Sequence, residues 1–212
     1  MKTFLSAVLA ATSLASDAYK SMGQLCMQNG FDLQSYTLVT DDGYVLSLYR
    51  IPGTLQEIAN PPTEQKPAVL MMHCQDCDMM EWVVNSPEVA PAFVLANEGY
   101  DVWMGNNRGS KYSNTHVTMS KDDKDYWDFY QEEMALQDLP TFIDYILGKT
   151  GLDNISYVGH SEGTTQMFMG ASLMPEYFKE RINVYLALAP VASTANIPTP
   201  IIRKAAHFIR EI

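Results

Sequence analysis

An α/β fold on a mostly parallel sheet, entered through an N-terminal β-hairpin, is what this sequence predicts, and three features predict it. From residue 68 onward, short apolar runs alternate with stretches of helical periodicity, the pattern of strands joined by right-handed helical crossovers. The run Ala68-Val69-Leu70-Met71-Met72 is continuously apolar, as a strand buried on both faces requires. Ahead of it, two β-rich segments flank Asp41-Asp42-Gly43, a loop whose glycine supplies the positive φ of a hairpin turn.

Taken in order, residues 1–15 read as a secretory signal: Lys2 is a basic start, Phe4 to Ala11 is apolar, and Ser13-Leu14-Ala15 carries small residues where a signal peptidase cuts. The run is too short to cross a bilayer core, which needs roughly 20 helical residues. One domain is expected over residues 16–192, followed by a segment, 193–212, of different character. The hairpin strands are Tyr36 to Thr40 and Tyr44 to Ile51. After a loop around Pro61-Pro62 comes the strand at 68–72, then a helix from Pro87 to Glu98 closed by Gly99, then a strand at Asp101-Val102-Trp103-Met104. Gln131 to Lys149 places Met134, Leu136, Leu139, Ile143, Ile146 and Leu147 at roughly helical spacing, with Pro140 as a kink or restart. Ile155 to Val158 is a strand, Ser161 to Ser172 a helix, and Val184 to Leu188 a further strand. Pro200 to Ile212 makes an amphipathic helix with Ile201, Ala205, Phe208 and Ile212 on one face, to be packed on this domain, on lipid or within a cap.

Composition removes several classes of function. With 14 Lys plus Arg against 25 Asp plus Glu the net charge is -11, which argues against nucleic acid. At 47% hydrophobic and 18% charged residues the chain builds a core and is not disordered. The three cysteines are too few for a disulfide scaffold. Cys74 and Cys77 form a CxxC whose readings are an incidental loop pair or a local disulfide, with a redox dithiol or half a zinc site weighted lower. Gly148-Lys149-Thr150 resembles the tail of a P-loop, but Ile143 stands where the upstream glycine is required. The sequon Asn154-Ile155-Ser156 leads into a buried strand and is expected to stay unmodified. No metal, cofactor or transmembrane segment is indicated.

The chemistry concentrates in Gly159-His160-Ser161-Glu162-Gly163, a G-x-S-x-G. Flanking glycines are needed because a nucleophile at this turn sits on strained backbone where a neighbouring Cβ collides. A strand ending at Val158 and a helix starting after Gly163 supply the strand-turn-helix context, so Ser161 is the expected nucleophile. A serine needs a base to take its proton and donors for the oxyanion. One donor is then the backbone N–H of Glu162, and the other comes from His73-Cys74-Gln75, with Gln75 N–H as the candidate; a plain surface loop is the alternative reading of that segment.

These residues resemble the acid lipases, the gastric and lysosomal type of α/β-hydrolase, over their N-terminal half. The resemblance rests on Asp42-Gly43-Tyr44, Arg50-Ile51-Pro52, the His73 loop, Gly105-Asn106-Asn107-Arg108-Gly109, Tyr126-Trp127-Asp128-Phe129, Asp138-Leu139-Pro140, the Ser161 motif and Leu186-Ala187-Leu188-Ala189-Pro190. It implies an α/β-hydrolase fold and hydrolysis of lipid carboxylic esters, triacylglycerols or sterol esters, at an interface. The setting implied is secreted or lysosomal, without metal or cofactor. Ser161 matches the family's nucleophile, and Gln75 and Glu162 match its oxyanion-hole positions. Two departures stand out: Cys74 where the family has Gly, and Glu162 where it has Gln. A carboxylate at 162 repels a developing oxyanion unless it points away or is protonated at acidic pH. On this fold the acid and the base follow the serine, yet residues 162–212 contain no Asp and only His207, on the terminal helix. The expectation is therefore a chain that stops at the start of the cap, lacks the last strands and is poorly soluble. The competing reading is a non-catalytic secreted lipid-binding or interaction protein that keeps the elbow; the sequence leaves the oligomeric state open.

Overall fold

The computed structural model describes residues 19–193, so the expected leader and the terminal helix with His207 lie outside the described residues. Seven strands form one sheet: β1 Gln34–Val39, β2 Tyr44–Ile51, β3 Ala68–Met72, β4 Asp101–Gly105, β5 Thr115–His116, β6 Ile155–His160 and β7 Ile182–Leu188. Their order is β1-β2-β4-β3-β6-β7, with β5 paired to β2. The sheet is parallel from β4 through β3 and β6 to β7. The hairpin joins it antiparallel, β2 running against β4. At the hairpin turn Gly43 has φ 96°, and a Cβ there would come within 2.7 Å of the His116 ring.

Helices α1 Met22–Gln28, α2 Leu55–Ala59, α3 Pro91–Asn97, α4 Gln131–Glu133, α5 Leu139–Thr150, α6 Glu162–Leu173 and α7 Pro175–Arg181 surround the sheet. Two of them correct the expected boundaries. The helix expected from Pro87 starts instead at Pro91, because Ala90, preceding a proline, is held extended at ψ 119°. Between α4 and α5, Met134–Asp138 winds as a π-helix. Pro140 lacks an N–H and crowds the carbonyl four residues earlier, so the wider turn lies upstream of it and the helix continues. Helix α1, not among the expected elements, opens on a reciprocal capping box of Ser21 and Gln24.

Both faces of the central strands are covered, as the apolar run at β3 requires. Val69 and Met71 pack with Cys26, Phe31, Phe93 and Met104 on one face. Leu70 and Met72 pack with Trp103, Phe142, Ile146 and Tyr157 on the other. All five β3 residues are buried, each large side chain contributing roughly 1.5–3 kcal/mol. The outermost strand is different: on β7, Val184 and Leu186 are 57% and 51% exposed. Asn154, expected to be shielded by the strand it precedes, is exposed, its side-chain oxygen accepting from Asn183 Nδ2 at 2.8 Å. No helix among the described residues is long and apolar enough to cross a membrane.

An ionic cluster locks the segment after β4. Arg108 is fully buried, lies 2.7 Å from Asp138 and 2.6 Å from Asp42, and stacks 4.0 Å above the Tyr44 ring. The Arg108 N–H also donates to Asp138 Oδ2 at 3.0 Å.

Candidate active site

The carboxyl ends of β3, β4 and β6 converge on one region. Ser161 follows β6 directly and has φ 49°, left-handed backbone that a residue with a Cβ adopts only when its surroundings impose it. The surroundings are visible. A Cβ on Gly159 would meet the Gly163 carbonyl oxygen at 2.6 Å, and one on Gly163 would collide with the Met72 carbonyl at the end of β3. Ser161 N–H donates to Leu188 O at 3.0 Å, and the hydroxyls of Tyr157 and Tyr185 donate to the carbonyls of Gly163 and Thr164 in the first turn of α6. The elbow is thereby held from the β3, β6 and β7 sides, with Glu162 as the first residue of α6.

The segment after β3 is a closed loop. His73 is 2% exposed, and its Nδ1 lies 2.7 Å from Cys74 O. A carbonyl only accepts, so Nδ1 carries the proton and Nε2 accepts the Asn107 N–H at 3.1 Å. Burial lowers the affinity of this imidazole for a second proton, keeping it neutral. Cys77 N–H donates to Cys74 O at 3.2 Å across a turn whose third residue, Asp76, has φ 57°, as a type II turn demands. Cys74 and Cys77 are joined as a disulfide around that turn. The local-disulfide reading of the CxxC therefore holds. With Glu81 the two sulfurs group within 4.8 Å, but a disulfide offers no thiolate to a metal or a redox partner.

A cleft of about 610 Å³ opens over these elements. Gln75, Asp76, Asn107 and Glu162 form its polar wall, while Trp127 and Phe129 contribute apolar surface. The fold thus brings Gln75 and Glu162 to one cleft; Ser161, half-buried, adjoins Glu162 but is not part of that wall. The Glu162 side chain accepts from Gln131 Nε2 at 3.1 Å. Burial pushes its carboxyl above the ordinary 4.5, Asp76 adds to the rise, and the Gln131 amide opposes it.

Three residues at this site have contacts that the sequence did not announce, although Asn107 lies in a motif of the resemblance. Gln131 reaches Glu162 from α4, Asn107 ties the β4 loop to His73, and Glu81 approaches His160 and the Cys74 loop. No local pattern gives these partners, because the contacts to Glu162, His73 and His160 each span a gap of 31 or more positions.

The pattern of a partial alpha/beta-hydrolase lipase region matches residues 22–86. The chain is 38% identical over 205 residues to the Homo sapiens lysosomal acid lipase/cholesteryl ester hydrolase, covering 95% of this chain and 50% of that protein. It is 40% identical over 185 residues to the Rattus norvegicus gastric triacylglycerol lipase, covering 87% of this chain and 46% of that protein. In fold it is similar to a bacterial membrane phospholipase A, with a TM-score of 0.56 at 16% identity over 98% of this chain and 58% of that one. The chain spans about half the length of the curated relatives it matches. Its sequence and fold together place it, over the region it shares with them, in the lipase family of α/β-hydrolases.

Proposed function

We propose that the chain carries the nucleophile and oxyanion-hole portion of a hydrolase for lipid carboxylic esters. The Ser161 hydroxyl adds to the ester carbonyl as a base takes its proton, the backbone N–H groups of Glu162 and Gln75 receive the oxyanion, and its collapse expels the alcohol to leave an acyl-enzyme that water hydrolyses to the carboxylic acid. The observation that carries this reading is the left-handed Ser161 at a strand-to-helix turn, with Glu162 N–H at the start of α6. Relatives named for triacylglycerol and cholesteryl ester hydrolysis support these two substrate classes. The leader expected at residues 1–15 and the Cys74–Cys77 disulfide support an oxidising, secreted or lysosomal destination.

No acid or base partner for Ser161 is assigned. A second reading, a lipid-binding protein without turnover, is favoured by the half-buried Glu162 carboxyl, whose charge would oppose an oxyanion at its own backbone N–H. Labelling by a fluorophosphonate probe, with hydrolysis of a short-chain and a long-chain ester, separates the two in wild type and Ser161→Ala. Labelling and hydrolysis abolished by the substitution support the hydrolase. A wild type that neither labels nor hydrolyses more than the alanine variant refutes it.

A further inference from the structure

Glu81 touches both segments that carry the proposed oxyanion donors. It lies on the short 3-10 turn Met79–Trp82, whose start is capped by Asp78 accepting the Met80 N–H at 2.8 Å, so the base of its side chain is fixed. Glu81 Oε2 accepts the Cys74 N–H at 3.4 Å and lies 3.2 Å from His160 Nδ1. Cys74 precedes Gln75, and His160 precedes Ser161. The Trp82 ring meets the His160 imidazole edge-on at 6.3 Å, which restrains the ring that Glu81 reaches. The side chain of Glu81 is 17% exposed, and its second oxygen, Oε1, is buried without a hydrogen-bond partner.

Stability does not account for this group. A buried carboxyl with one oxygen unsatisfied costs free energy that an apolar side chain of the same shape avoids. What the carboxyl supplies is a link where the backbone supplies none. The β3 to β6 ladder ends at the Met72 and Gly159 pair, and beyond it the two chains leave the register that would hold them at a set distance. The residues that follow, 73–75 and 160–162, must nonetheless present two N–H groups to one oxygen, at about 2.7–3.1 Å each.

We propose that Glu81 is a positioning residue that sets the spacing of the Gln75 and Glu162 donors, by tying the disulfide loop to the serine elbow through Cys74 N–H and His160. The proposal rests on the hydrolase reading above, and its test separates the two. Amide hydrogen exchange at Cys74 and Gln75, followed by NMR, and fluorophosphonate labelling of Ser161 are compared in the full chain and in Glu81→Ala and Glu81→Gln. In Glu81→Ala, exchange at Cys74 accelerates about tenfold, and labelling slows by about 10- to 100-fold. Glu81→Gln keeps an acceptor oxygen and restores both to within about threefold, a rescue that a general effect on folding does not produce. A folded Glu81→Ala with unchanged Cys74 exchange overturns the proposal, as does a glutamine variant impaired to the same degree as alanine. Should Glu81→Ala fail to fold, His160→Ala cuts only the elbow side: accelerated Gln75 exchange supports the tie, and unchanged Gln75 exchange overturns it. If the wild type does not label at all, the hydrolase reading falls, and the exchange ratios still decide whether Glu81 joins the two segments.

Discussion

Replacing Arg108 by methionine is expected to cost about 4 kcal/mol of stability. The guanidinium and its partner Asp138 are both fully buried, whereas Asp42 is 35% exposed. Methionine retains most of the aliphatic stem but leaves Asp138 in the core with a single remaining donor, the backbone N–H of residue 108 at 3.0 Å. Breaking a buried pair on one side costs about 3–5 kcal/mol, because the surviving charge is stranded. Asp42 returns to water and adds at most about 1 kcal/mol. The stacking on Tyr44 at 4.0 Å is lost with the same guanidinium, so its roughly 2 kcal/mol is not independent of the ion pair and is not added in full. With a urea slope of about 2 kcal/mol per molar, the unfolding midpoint falls by about 2 M. The companion variant Arg108→Met with Asp138→Leu removes both charges and should recover most of the loss. A single variant that moves the midpoint by less than about 0.5 M, or a double variant no more stable than the single, refutes the cost assigned to the stranded Asp138. Because the same segment carries Asn107, whose N–H holds His73, the single variant should also expose the His73 ring to solvent exchange.

Two further outcomes are expected. Glu162 has a folded-state pKa raised by burial above its ordinary 4.5, so its contribution to stability is fully present below about 4.5 and is lost as pH rises through the raised value. Glu162→Gln should therefore gain stability relative to wild type above that window and lose the pH dependence, read from thermal melts across the acidic to neutral range; parallel melting curves for the two proteins would contradict the assignment. At the sheet edge, Val184 and Leu186 are exposed on an outer strand and invite edge-to-edge pairing. Val184→Lys with Leu186→Glu should lower the associated fraction seen by light scattering at raised concentration, and an unchanged fraction would show that β7 is not the surface through which copies meet.

Local pattern carried much of this molecule. Five consecutive apolar residues at 68–72 require a strand with cover on both faces, and the structure buries all five. The glycine of Asp41-Asp42-Gly43 requires a turn between two strands, and Gly43 adopts the positive φ expected of it. Spacing of glycines around Ser161, between an apolar run and a helical one, is enough to require the elbow, because the steric demand is local. Boundaries slipped where a local signal outweighed the pattern used: Pro91 sets the start of α3 through its effect on Ala90, four residues after the expected Pro87, and the Ser21 and Gln24 capping box opens an α1 that was not expected.

Partnership is another matter. Periodicity states that a side chain is buried and says nothing of what it is buried against. Arg108 and Asp138 are 30 positions apart, Gln131 and Glu162 are 31, and Glu81 and His160 are 79. Each pair meets because strand order and right-handed crossovers bring the ends of β3, β4 and β6 side by side, a global property of the sheet. The same holds for charge: the sequence leaves open whether the Glu162 carboxylate points away or is protonated, and only the burial around it raises its pKa. Fold class and the serine elbow follow from short-range sterics and hydrophobic pattern; the wiring of the site around them follows from which distant segments the tertiary structure makes neighbours.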